Sequence, residues 1–75
     1  MIKVSRIMDE HQERNGKKLF LIEYKSTDDA AFWGGFTEYI SQNNLPKINQ
    51  CFENAQQLEQ YCRGEWNERK KRIRL

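Results

Sequence analysis

The chain is short of the side chains that make chemical sites. Its 75 residues include one histidine, His11, and two cysteines, Cys51 and Cys62, with no C-x-x-C spacing, so a zinc site lacks ligands. The cysteines read as reduced, partly buried thiols, with a disulfide or an intermolecular bridge as the alternative. Neither has a basic neighbour fixed by a motif that would activate it. Glycine occurs four times, and the adjacent Gly34 and Gly35 belong to no G-x-G-x-x-G or P-loop pattern. His11 lies beside Asp9, Glu10 and Glu13, but nothing near it in the sequence supplies burial, an oxyanion donor or a partner nucleophile. A solvated turn is expected there. The chain is expected to be no enzyme and to hold no cofactor or metal.

Also missing is any apolar run of about 18 residues, the least that a membrane-crossing helix needs. The stretch MIKVSRIMDEH has neither the apolar run nor the small-residue cleavage site of a signal peptide. A soluble, cytoplasmic setting with no membrane contact is the expectation.

What is present is enough for one small domain. Chains of this size bury only about 60% of the surface that they expose when unfolded, so two layers are the limit and an enclosed active site is not expected. Hydrophobic residues are 37% of the chain, aromatics 12% and charged residues 32%, which gives a modest core under a well-solvated surface. The net charge of +2 is unevenly placed. Residues 68–75, ERKKRIRL, carry Arg69, Lys70, Lys71, Arg72 and Arg74 against Glu68, which leaves residues 1–67 at −2.

The apolar row of Ile2, Val4 and Met8 predicts a strand that Arg6 interrupts. Residues 17–25 predict a second, with Phe20, Ile22 and Tyr24 on one face and Leu19 and Leu21 beginning the other. Between them, Asn15-Gly16 signals a hairpin, because both central residues of a type I′ turn need positive φ. A two-residue loop there pairs Ile7 with Tyr24 and His11 with Phe20.

The stretch AAFWGGFTEYIS fits two periods. Phe32, Phe36, Tyr39 and Ile40 have helical spacing; Trp33, Thr37 and Tyr39 have strand spacing, with Phe36 and Ile40 on the other face. Two adjacent glycines would weaken a helix by about 2 kcal/mol relative to alanines, so a strand is expected. Gly34-Gly35 then marks a bulge, or a place where another backbone or a large ring lies close. The segment SQNNLP supplies a turn, with Asn43 and Asn44 suited to left-handed conformations. Residues 47–52 predict a last strand with Ile48 and Phe52 on one face and Cys51 on the other, starting at an edge because of Pro46.

From Asn54 the period becomes helical. Asn54 is an N-cap, Gln57 can complete a capping box, and Ala55, Leu58, Cys62 and Trp66 form one stripe with Tyr61 and Ile73 beside it. Gly64 either bends or ends this helix; one bending helix is expected. The fold class is α+β: an antiparallel sheet of three to four strands in β-β-β-β-α order, with one C-terminal amphipathic helix packed on one face.

One helix leaves the opposite sheet face open. Phe20, Phe36, Phe52 and Trp66 are expected in the core. Trp33, Gly34, Gly35 and Tyr39 are the candidate partner-binding residues, with Trp33 and Tyr39 on the open face, where exposed aromatics beside glycines make interface hot spots. A protein partner, a homodimer and ordinary packing are the three uses weighed for them. The cations at 69, 70, 71, 72 and 74 are expected mainly as the favourable basic end of the helix, with contact to nucleic acid or to an acidic protein surface as alternatives.

In layout alone, the small size, aromatic surface and split charge resemble the small accessory proteins of bacteriophages and mobile elements, anti-CRISPR proteins among them. That resemblance implies a non-enzymatic inhibitor or regulator acting through a protein partner. A three-stranded sheet followed by a helix also resembles the arm-binding domains of phage-type integrases and related plant DNA-binding domains. This second resemblance implies a sheet laid into the major groove, for which the strands offer Lys3, Arg6, Lys25, Lys47 and Asn49, interspersed with Glu23 and Glu38. The −2 of the body counts against it.

Overall fold

Residues 1–65 are described by the computed structural model of the chain, and ERKKRIRL, Trp66 and Ile73 lie outside the described residues. The expected order holds: β1 (Ile2–Arg14), β2 (Lys17–Ser26), β3 (Trp33–Ile40), β4 (Cys51–Phe52) and α1 (Ala55–Arg63). The strands form one antiparallel sheet in the order β3-β2-β1-β4, with α1 on one face.

The β1–β2 turn forms as its sequence demands, with Asn15 at φ 53° and Gly16 at φ 78°. The register beyond it differs from the expected one. Ile7 pairs with Ile22, not Tyr24, and Phe20 pairs with Asp9, not His11. β1 has two irregularities, and the one nearer the turn causes both changes. Residues 10–12 stand opposite Leu19 alone, with His11 at φ 59° and its N–H donating to Asp9 Oδ1 at 2.8 Å. Ser5 is an extra residue between Val4, which pairs with Tyr24, and Arg6, which pairs with Glu23.

The Ser5 bulge resolves the interrupted apolar row. An extra residue shifts the alternation by one, so Ile2, Val4 and Ile7 share the helix side, while Lys3, Arg6 and Met8 share the open side. Without it, Arg6 would point at the core.

β3 is a strand, and its register with β2 is regular from Trp33 opposite Lys25 to Ile40 opposite Lys18. Gly34-Gly35 is therefore no bulge. A Cβ at Gly34 would meet the Tyr24 ring, and one at Gly35 would lie 3.1 Å from the Ile22 carbonyl oxygen, so a ring and a backbone lie close, one at each glycine.

The fourth strand is shorter than expected. Gln50 N–H donates to the Lys47 carbonyl at 3.0 Å and Gln50 Oε1 accepts from Lys47 N–H at 2.9 Å, which closes a turn over residues 47–50. Asn49 takes the left-handed conformation there, at φ 70°, whereas Asn43 and Asn44 lie in a 3-10 turn, Gln42–Asn44. Ile48 is consequently exposed, and Cys51 and Phe52 alone pair with Lys3 and Ile2.

Helix α1 begins as expected and ends early. Asn54 Oδ1 accepts from Gln57 N–H at 2.9 Å, and Gln57 Oε1 accepts from Glu53 N–H at 3.2 Å. Gly64, left-handed at φ 81°, stops the helix after Arg63 instead of bending it. The core is Ile2, Val4, Phe20, Ile22 and Ile40 from the sheet with Leu58 and Cys62 from the helix. Phe36 and Phe52 are half-buried against it, the latter edge-on to Tyr61 at 5.4 Å between ring centroids.

Candidate partner-binding face

Because β2 is regular, its alternation sorts the whole sheet. Lys17, Leu19, Leu21, Glu23 and Lys25 point away from α1, and across the ladders stand Arg14, Met8, Arg6 and Lys3 from β1 and Tyr39, Thr37, Gly35 and Trp33 from β3. Cys51, opposite Lys3, joins them and is exposed, against the expectation of a partly buried thiol.

This open face has an apolar strip of Met8, Leu21 and Leu19 across its middle, all half-buried without a helix above them. Trp33, 67% exposed, stands at one end of β3 and Tyr39 at the other. They are six residue steps apart along the strand, roughly 20 Å, so the two aromatics share the face without meeting. A shallow hollow of about 340 Å³ beside Trp33 is lined by Ser5, Glu23, Tyr24 and Lys25. A second, of about 430 Å³, lies beside Tyr39 and is lined by Arg14, Asn15, Lys17, Glu38, Arg63 and Glu65.

Of the four residues expected to bind a partner, three lie on this face. Gly34 turns to the helix side, under the Tyr24 ring. Met8, Leu19 and Leu21 complete the surface, and Arg14 joins it with its guanidinium carbon 4.9 Å from the Tyr39 ring centroid. The β2 alternation placed the two leucines on this side; the bulge that brings Met8 there left no turn residue to announce it. The five tail cations, Arg69, Lys70, Lys71, Arg72 and Arg74, lie outside the described residues, and the last turn of α1 has Arg63 as its base.

The charges are sorted as well. Lys3, Arg6, Arg14, Lys17 and Lys25 stand on the open side against Glu23 and, by alternation from Met8, Glu10. The rest of the described chain holds three cations, Lys18, Lys47 and Arg63, against eight acids. Glu38, which the sequence places between the strand cations, turns to the helix side, where Oε1 accepts from Arg63 Nε at 2.8 Å. On the open face Glu23 stands 3.5 Å from Arg6. Lys3, Lys17 and Lys25 have no ion-pair partner among the described residues.

Elsewhere the chemistry is sparse. His11 is 89% exposed and its Nδ1 lies 4.0 Å from Asp9 Oδ1. Burial, reinforced by Glu38 and Glu59, pushes the Cys62 thiol up to about 12, so it stays protonated and inert at neutral pH. Among the described residues no group of three or more His, Cys, Asp or Glu is placed to hold a metal ion, and no helix is long and apolar enough to cross a membrane. Comparison with family models, curated proteins and solved structures finds no match.

Proposed function

We propose that the protein is a small non-enzymatic interaction module that docks a partner protein with an acidic surface through the open sheet face. The sorting of side chains between the two sheet faces carries this reading. An apolar strip with an aromatic at either end and a cationic rim has the anatomy of a protein interface, in which Trp, Tyr, Met and Arg are enriched near the centre and charge lies at the rim. The excess of cations on this face is complementary to an acidic partner. It also disfavours a second copy on the same face, since two such rims would repel. A module of this kind acts by occupying a surface, as inhibitors and regulators of the phage and mobile-element type do.

Nucleic acid is the competing ligand for a cationic face, and the −2 of the whole body understates that face's charge. The apolar strip favours protein. Its centre is aliphatic, whereas single strands are read by neighbouring aromatic platforms, and here the two aromatics are far apart with Arg14 already over one of them.

The test uses three baits against host lysate: wild type, Leu21→Asp, and Gln56→Asp as a control on the helix. One acidic protein retained by wild type and the control but lost by Leu21→Asp, and binding directly when purified, is the expected result. Tight binding of single- or double-stranded oligonucleotides that falls steeply with salt, with no protein sensitive to Leu21→Asp, would replace this reading by the nucleic-acid one.

A further inference from the structure

The sheet has two edges, and they differ. At one, β4 has two residues and is flanked by the closed turn over residues 47–50. At the other, β3 presents eight residues without proline, lysine, arginine or a bulge, and among the described residues no strand pairs with its outer side. Natural sheets blunt such an edge with those very devices, because unpaired N–H and C=O groups are a template for another strand. β3 has a single charge, Glu38, and it points to the helix side and is held by Arg63.

Which groups are unpaired follows from the ladder. Ser26 N–H donates to the Phe32 carbonyl at 3.1 Å, so this pair is of the hydrogen-bonded class. Alternation along the regular register gives the β2-facing bonds to Gly34, Phe36, Glu38 and Ile40. The N–H and C=O of Trp33, Gly35, Thr37 and Tyr39 face outward. These four positions are symmetric about Phe36.

We propose that β3 pairs with β3 of a second copy, antiparallel, about a two-fold axis through Phe36. In that register Trp33 of one copy stands opposite Tyr39 of the other and Gly35 opposite Thr37, so every outward donor meets an outward acceptor. Glu38 falls opposite Gly34 instead of the other Glu38, which avoids a like-charge pair. The two half-buried Phe36 side chains meet on the helix side and cover each other. A foreign strand would satisfy the backbone equally, but the mutual cover of the half-buried Phe36 pair, the placing of Glu38 opposite Gly34 and the near-neutrality of β3 favour its own copy. The product is a continuous eight-stranded sheet with two open faces side by side. This assembly is independent of the docking reading, since the open face remains free in it.

Two measurements test it. Sedimentation of the full chain should show reversible, concentration-dependent association to roughly twice the 9.1 kDa chain mass. Thr37→Pro, which removes an outward N–H and leaves the β2 ladder intact, should be folded by circular dichroism and monomeric, while Thr37→Val still associates. Amide exchange of the wild type supplies a readout that no variant can spoil: Trp33, Gly35, Thr37 and Tyr39 should be protected only at high concentration, Phe36 and Glu38 at all concentrations. A monomer up to about 1 mM, a dimer that survives in folded Thr37→Pro, or protection of the four amides that ignores concentration would overturn the proposal. A monomer that still binds an acidic partner would sink this inference alone.

Discussion

The phenol of Tyr24 fills the space where Gly34, its cross-strand neighbour, would carry a side chain. A methyl group at Gly34 would lie 2.6 Å from Tyr24 Oη and 2.8 Å from Cζ. Tyr24 cannot easily retreat, because it packs against the core and its ring centroid lies 6.4 Å from that of Phe32. Gly34→Ala should therefore destabilise by about 1–3 kcal/mol, as overpacking does. In a Tyr24→Val background the same change should be nearly neutral, and urea denaturation of the four proteins measures that coupling.

The Ser5 bulge makes a sharp prediction about two adjacent residues. Ile7 packs toward the core and Met8 lies on the open side. Ile7→Asp should remove about 2 kcal/mol or more, since it buries an unpaired carboxylate. Met8→Lys should stay within about 1 kcal/mol of wild type. A larger loss at Met8 than at Ile7, read by thermal unfolding, would show that β1 is unbulged.

These pairs also explain what the sequence could announce. β2 has no irregularity, so its period of two reads straight onto both faces, and the Asn15-Gly16 turn is dictated by backbone sterics. β1 hides two irregularities, and the only trace of the first is the spacing of Ile2, Val4 and Ile7, two residues and then three. The turn at 47–50 is closed by the Gln50 side chain, a bond that hydropathy does not register. The charge sorting was illegible for the same reason: it needs the parity of β1 across its bulges and the turn of Glu38 toward Arg63. The aromatic half of the candidate face needed only alternation along β3, and so it was legible.

The two ends of α1 should respond separately. Asn54→Ala removes the acceptor for Gln57 N–H and should destabilise by about 1 kcal/mol, and Asn54→Asp should recover most of that. Gly64→Ala places a Cβ at φ 81° and 3.0 Å from Asn44 Nδ2, so a loss of about 1–2 kcal/mol is expected. Chemical denaturation with an unchanged slope is the check.

Cys62 predicts an alkaline limit to stability. Burial first, then the charges of Glu38 and Glu59, raises its thiol from 9.0 to about 12, with Arg63 opposing. The folded state therefore holds this proton more tightly than the unfolded state. Its contribution is complete below pH 9 and is lost as pH rises through the window from 9 to about 12. Cys62→Ala should flatten that part of the stability profile relative to wild type. A thiol reagent at neutral pH should modify exposed Cys51 in the folded protein and reach Cys62 only on unfolding.

The open face yields the prediction that bears on function. Trp33 is 67% exposed, so Trp33→Ala should leave the circular dichroism spectrum and the unfolding midpoint nearly unchanged. If Trp33 anchors a partner, the same change should weaken binding by about 2 kcal/mol, some 30-fold in Kd. Lys25→Glu, beside it on β2, acts through charge: it should slow association and reduce the salt dependence of binding. The two losses separate the roles, since a truncated anchor shows in the dissociation rate and a reversed rim charge in the association rate. Loss of folding on Trp33→Ala would place the ring in the core and remove the aromatic end of the docking surface.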